Sequence, residues 1–442
     1  MRQKISIFWH RRDLRIHDNA GLYQALNSDQ PVLPLFIFDK NILDKLEDKN
    51  DKRVQFIHNE LTKISKELSS LDSSILVKYG TPEEVWKELT NAYDIVDVFT
   101  NRDYEPYAQE RDKQLFEFLK SKNISFKGYK DHVVFEKNEV LKNDGTPYTV
   151  FTPYSKKWKN LLSDFYYKPY PTEKYFDRLL KTKPFAIPSM KELGFNKLDE
   201  TFFPKEFKET IVKNYDKTRD IPSIIGSSRL SVHLRFGTIS IRALTAFSLK
   251  LNEKFLNELI WRDFYQMILF HFPHSVESAF KPQYQRVPWK NNEKHFELWC
   301  EGKTGYPMVD AGMRELNATG FMHNRVRMVT ASFLTKHLLT DWKWGERYFA
   351  KKLLDFDLAS NVGGWQWAAS SGCDAAPYFR VFNPTSQLTK FDKELKYVQK
   401  WIPEYGTEAY PPPIVEHKTA RQFAIDVYKQ TLTDYREKMN AT

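Results

Sequence analysis

Short apolar runs alternating with helical stretches mark the first third of the chain. Ile5–Trp9, Val32–Phe38, Ser74–Tyr79, Val96–Asn101 and Ser125–Tyr129 are rich in β-branched and aromatic residues and too short for helices. Between them, 3.6-residue periodicity predicts helices through Leu22 and Leu26 and over about Lys52–Leu71, Glu83–Ala92 and Tyr107–Lys122. Strands alternating with helices predict an α/β domain over residues 1–130, a doubly wound parallel sheet of Rossmann-like type. Residues 131–195 lose sustained periodicity and are punctuated by Pro147, Pro153, Pro169, Pro171, Pro184 and Pro188, which reads as an extended interdomain connector. From residue 196 to residue 442 strands largely vanish, and helical spacing predicts a larger all-α domain.

Composition narrows the picture. Hydrophobic and charged shares of 41% and 28% are ordinary for a globular protein, whereas the aromatic share of 15% is high and asks for a use. Two cysteines, Cys300 and Cys373, exclude a disulfide framework and offer no metal cluster, so no metal site is expected. The apolar run at Ile5–Trp9 is too short for a signal peptide, and no run of eighteen apolar residues predicts a membrane span. A cytoplasmic location is expected, nucleoid-associated in a prokaryote. The net charge of +10 suits a polyanionic partner. Neither G-x-G-x-x-G nor a P-loop occurs, so the polar loops after Trp9, Phe38 and Asn101 are where the sheet would meet a ligand.

Chemistry concentrates in the helical part. Glu258, Trp261, Arg262 and Tyr265 fall at i, i+3, i+4 and i+7 and share one helix face, an unusual mixture for a core stripe. Such a face can stack on a base, accept from a base edge and meet phosphate. Gly226-Ser227-Ser228-Arg229-Leu230-Ser231 is a hydroxyl-rich loop opening a helix, able to present donors to phosphate or simply to cap. Asn324 and Arg327 share a face at i, i+3. The densest stretch is Asp355–Pro384, DFDLASNVGGWQWAASSGCDAAPYFRVFNP. It crowds Asp, Asn, Gln and Arg among tryptophans, which suits a pocket for a large, flat, polar-edged ligand better than a core segment.

These motifs carry a resemblance. Asp355-x-Asp357-Leu-Ala-x-Asn361-x-Gly-Gly-Trp365-Gln-Trp367, with Asp374-Ala-Ala-Pro-Tyr-Phe-Arg380, the Met322-His-Asn-Arg325 segment and the Arg11-Arg-Asp-Leu-Arg run, resembles the DNA photolyase/cryptochrome family. Within it the chain looks most like the class I cyclobutane pyrimidine dimer photolyases. The resemblance implies a carbon-carbon lyase that repairs such dimers in UV-damaged DNA, by electron transfer from excited, fully reduced FAD to a flipped-out dimer. It implies catalytic roles for Glu258, Trp261, Met328 and Asn361. It implies FAD contacts from Tyr215, Ser227, Ser228, Arg229, Leu230, Ser231, Phe255, Glu258, Arg262, Asn324, Arg327, Asp355, Asp357 and Asn361. DNA would meet Arg219, Trp261, Arg262, Arg325, Trp367, Arg380 and Gln387, and Trp365, Trp342 and Trp299 would form the chain that re-reduces the flavin.

In the N-terminal domain, Arg53, Asp103 and Glu105 match positions that hold a second, light-harvesting chromophore. Val276-Glu277 stands where folate-using relatives carry Cys-Lys, so a deazaflavin or flavin antenna is favoured over folate, with an empty site as the alternative. Phe255 and Phe321 stand where relatives commonly have Trp. Glu258 and Met328 count against (6-4) repair, and with the missing C-terminal extension they count against a cryptochrome-type blue-light photoreceptor, the two rival readings. A monomer with no obligatory protein partner and no membrane association is expected.

Overall fold

The computed structural model describes residues 3–441. Five parallel strands, β1 Lys4–His10, β2 Val32–Asp39, β3 Leu76–Gly80, β4 Asp94–Asn101 and β5 Ser125–Tyr129, form one sheet in the order β3-β2-β1-β4-β5. The expected strands are all present, within a few residues of the expected bounds. Every residue of β2 is buried and β1 is buried from Ile5 onward, as central strands covered on both faces must be.

The covering helices start on clear signals. Asp51 accepts the Arg53 N–H at the head of Lys52–Ser69, and Thr81 and Glu84 form a reciprocal capping box on Pro82–Ala92. The chain order reverses at β1, between β2 and β4, which places a crevice beyond the carboxyl ends of β1 and β4.

Contacts divide the chain into two compact units, each drawing on separate stretches. The sheet unit comprises Met1–Glu136, Leu161–Phe207 and Arg229–Lys250; the helical unit comprises Lys137–Asn160, Lys208–Ser228 and Leu251–Thr442. The helical unit is built on Glu253–His271, Pro307–Thr319, Asn324–Ser332, Trp342–Lys352 and Leu358–Ala368, around a core that includes Trp299, Met313, Phe333, Trp342 and Trp365. Gly345 permits this packing: a Cβ there would stand 2.1 Å from the Trp365 ring. Among the described residues no helix is long and apolar enough to cross a membrane.

The helices of the connector were not foreseen. A helix, Phe151–Leu161, lies inside the stretch read as extended connector. Its Phe151, Tyr154, Ser155 and Trp158 recur at i, i+3, i+4 and i+7, and Pro153 sits in the first turn, where a missing N–H costs nothing. The prolines around it masked the pattern.

Candidate active site

Asn252 caps the helix Glu253–His271, accepting the Lys254 and Phe255 N–H groups. Leu256, Leu259, Ile260, Phe264 and Met267 are buried, and Glu258, Trp261, Arg262 and Tyr265 lie on the half-buried face, as their spacing predicts. Arg219 Nη1 donates to Glu258 Oε1 at 2.5 Å, and the Tyr215 hydroxyl also bonds this carboxylate. Burial raises the Glu258 pKa above the ordinary glutamate value, and the Arg219 charge only partly opposes it. Trp261 remains half-buried although its indole stacks on the Phe151 ring.

The second wall is the helix Leu358–Ala368. Asp357 caps it, accepting from the Ser360 N–H at 3.0 Å and from Gln266 Nε2 at 3.0 Å. Asn361 turns its amide NH2 to Glu346, at 3.1 Å to the backbone oxygen and 2.8 Å to Oε1. Burial raises the Glu346 pKa, and the Asn361 bond opposes the shift. Asp355 takes both its oxygens to Arg327 Nη2, at 3.1 and 2.9 Å, while Arg327 Nε donates to the Met322 carbonyl. Asn324 is exposed at the start of its helix, with its amide 4.0 Å from the sulfur of half-buried Met328.

Among the described residues, the buried acceptors without a hydrogen-bond partner include Gln266 Oε1 and Gln387 Oε1. Such atoms are costly unless something else meets them.

The remaining expected positions sort less evenly. Phe255 is buried with its ring edge-on to Tyr215, centroids 5.1 Å apart. Tyr215, Ser227 and Ser228 belong to the helical unit, and Arg229, Leu230 and Ser231 to the sheet unit. Arg229 adopts a left-handed φ of 53°, Leu230 is buried and Ser231 is exposed. Arg219 and Arg325, expected to face DNA, are already paired with Glu258 and Asp220, the latter at 2.7 Å. Arg380 is exposed beside Phe382, and Trp367 packs on the same ring.

Trp299, Trp342 and Trp365 all lie in one buried cluster. Trp299 is in direct edge contact with Trp365, centroids 6.0 Å apart, and Phe349 packs on both. Trp342 is buried in the same cluster.

Of the expected antenna residues, Asp103 and Glu105 come together because both accept from Arg12 Nη1, at 3.2 and 2.7 Å, and Glu105 also pairs with Arg235. Burial alone would raise the Asp103 pKa, yet Arg12, Arg11 and Arg235 hold it below the ordinary value. Arg53 is held in a separate pair with Asp51. A polar cleft of about 250 Å³ opens among Arg11, Arg12, Asp13, Asn101, Arg102 and Asp103, at the crevice of the sheet.

Spacing missed Glu346, Gln266, Phe151 and Asp374. Gln266 was within reach, because it continues the i, i+4 row of Glu258 and Arg262. The others meet their partners only across long sequence separations.

Comparison with known proteins gives the family. Residues 6–174 match the model described as DNA photolyase, and residues 255–408 match the FAD binding domain of DNA photolyase. The chain is 35% identical to the deoxyribodipyrimidine photo-lyase of Synechococcus sp., over 96% of each chain. It is 35% identical to that of Escherichia coli, over 96% of this chain and 98% of the other. The crystal structure of a class III photolyase from Agrobacterium tumefaciens superimposes with a TM-score of 0.85 at 31% identity, over 98% of each chain. A Sulfolobus tokodaii photolyase solved with two FAD molecules superimposes with a TM-score of 0.81 at 33% identity, over 96% of this chain and 99% of the other. With both of its units matched and its relatives aligned almost end to end, the chain belongs to the DNA photolyase family.

Proposed function

We propose that the protein repairs cyclobutane pyrimidine dimers in DNA in a light-driven reaction, with FAD as its cofactor. The observation that carries this reading is the Glu258–Trp261 face: a desolvated carboxyl beside a half-buried indole, on a helix whose other side is core. The helical unit fits FAD by its own chemistry. Gln266 Oε1 has no hydrogen-bond partner among the described residues, its amide donates to Asp357 at the head of the Leu358–Ala368 helix, and the Arg327–Asp355 pair adds charge in the same unit.

Bound and reduced, FAD would lend, on absorbing light, the electron that opens the cyclobutane ring and would take it back once the two bases have separated. The protein's part is position and charge. Trp261 and Trp367 offer apolar surfaces to a dimer flipped out of the duplex, a lesion already weakly stacked. Glu258, steadied by Arg219 and Tyr215, accepts from a base N–H or, when protonated, donates to a base carbonyl. Asn361, its NH2 held by Glu346, keeps its oxygen for the flavin edge, with Met328 and Asn324 nearby on their helix. Arg262, Arg325 and Arg380 would meet phosphate, Trp365, Trp342 and Trp299 would relay electrons from an external reductant to an oxidised flavin, and the Asp103–Glu105 end of the sheet unit would hold a second chromophore. The protein acts as a monomer on DNA, in the cytoplasm or on the nucleoid.

The test is a short oligonucleotide carrying one thymine dimer, incubated with reduced, FAD-bearing protein in blue light and in darkness. Restoration of both thymines in light alone is the expected result. FAD-bearing protein that leaves the dimer intact contradicts it, and a parallel (6-4) substrate then separates (6-4) repair from light sensing.

A further inference from the structure

Phe151 opens the helix that the connector conceals, and its ring lies parallel to the Trp261 indole, centroids 3.7 Å apart and planes 4° from parallel. This pair is built in from several sides. The Phe151 backbone N–H donates to Asp374 Oδ2 at 2.9 Å, so a carboxylate from the loop leading to Arg380 caps the helix start. Further along the same helix, Trp158 Nε1 donates to buried Asp263 at 3.0 Å, and Tyr154 packs against Phe264. Both Asp263 and Phe264 lie on the helix that carries Trp261, two and three residues beyond it. The indole is further bounded by Phe264 at 5.6 Å and Tyr265 at 5.4 Å.

We propose that Phe151 is a positioning residue for lesion recognition, fixing the plane of Trp261 and closing one of its faces, with Asp374 holding Phe151 in place. A base can then stack only from the opposite side, on a ring whose rotamer is already set. A wall fixed before binding loses less conformational freedom when the dimer arrives. The proposal rests on the reading of Trp261 as a dimer contact, and it gives the supposed connector a part in the site.

The experiment compares Phe151→Leu, Phe151→Tyr, Trp261→Leu and the Phe151→Leu/Trp261→Leu double variant, all as FAD-bearing protein. Binding is measured to one duplex with a thymine dimer and to the same duplex undamaged, with FAD content and repair per bound dimer recorded. Phe151→Leu should lower the preference for damaged DNA about fivefold, the scale of one lost aromatic pair. Affinity for undamaged DNA and FAD content should hold. Phe151→Tyr should keep the preference, and the double variant should be no worse than Trp261→Leu, because both act through one ring. Asp374→Ala should shift the preference the same way by less, and it serves if Phe151→Leu does not fold.

If Phe151→Leu keeps full preference while Trp261→Leu loses it, the positioning role is wrong and the reading of Trp261 stands. If Trp261→Leu also keeps full preference, both fall. Equal loss on damaged and undamaged DNA, or loss of FAD, would make Phe151 a general structural residue and overturn the proposal.

Discussion

Two regions of this molecule are rich in charge and differ in whether pairing or burial governs their central carboxylate. At one end of the sheet unit, Arg15 binds both oxygens of Asp131 at 2.8 Å, Arg242 adds a third bond at 2.7 Å, and the Ala20 N–H a fourth at 3.0 Å. Burial alone would raise the Asp131 pKa, but the two guanidiniums hold it down to about 2. Asn101 is bound on all sides by Asp13, Asn19 and the Gly21 N–H.

On the Glu253–His271 face and its neighbours, burial wins instead. The Glu258 and Glu346 pKa values rise, and Gln266 and Gln387 keep unmet acceptors. A carboxylate held by several guanidinium bonds specifies structure, whereas one that burial has shifted stands to gain from a ligand that meets it. Polar density alone therefore does not locate a site; a buried carboxyl whose pairing fails to offset burial marks one better.

The largest effect expected from that contrast is in the ion-paired network. Asp131→Asn removes the carboxylate paired with buried Arg15 and leaves Arg242 with Asp18 alone, and should cost about 3–5 kcal/mol, read as the urea midpoint. A loss under 1 kcal/mol would show that the network is ornamental and would erase the distinction.

The pH dependence sharpens it. Asp131 has a folded pKa of about 2, below its usual 3.8, so its stabilisation is complete above pH 4 and is lost as the pH falls towards 2. The shift corresponds to about 2 kcal/mol. Acid unfolding of Asp131→Asn should be correspondingly shallower over that window, and an unchanged slope would contradict the assignment.

Gly345→Ala comes next. The added methyl meets the Trp365 ring, an overpacking expected to cost about 1–3 kcal/mol in thermal unfolding. A neutral result would mean that the tryptophan cluster can shift freely.

Much of the frame was legible in the chain. Short strands buried on both faces leave continuous apolar runs, and their order needed only the rule that parallel strands alternate with helices. The Glu258–Trp261 face was legible because a helix face is a local property, fixed by spacing. What remained hidden was pairing across distance. Asp131 lies 116 residues from Arg15, and Phe151 lies in a proline-punctuated stretch far from Trp261. The Glu346 carboxyl looks like a surface charge until Asn361 is folded against it. For the same reason Arg219 and Arg325 read as free cations in the sequence, whereas each has an acidic partner in the fold.

The most direct measurement is light-driven repair of a thymine-dimer oligonucleotide, per folded FAD-bearing molecule, by Glu258→Ala beside Asp131→Asn. The account predicts that Glu258→Ala loses repair, about tenfold in lesion affinity, the scale of one hydrogen bond to a charged group. It should keep its FAD and nearly all its stability. Asp131→Asn should repair normally in every molecule that remains folded. Normal repair by Glu258→Ala, or a repair defect in folded Asp131→Asn, would contradict the claim that the face carrying the burial-shifted carboxyl is the site and the ion-paired network its frame.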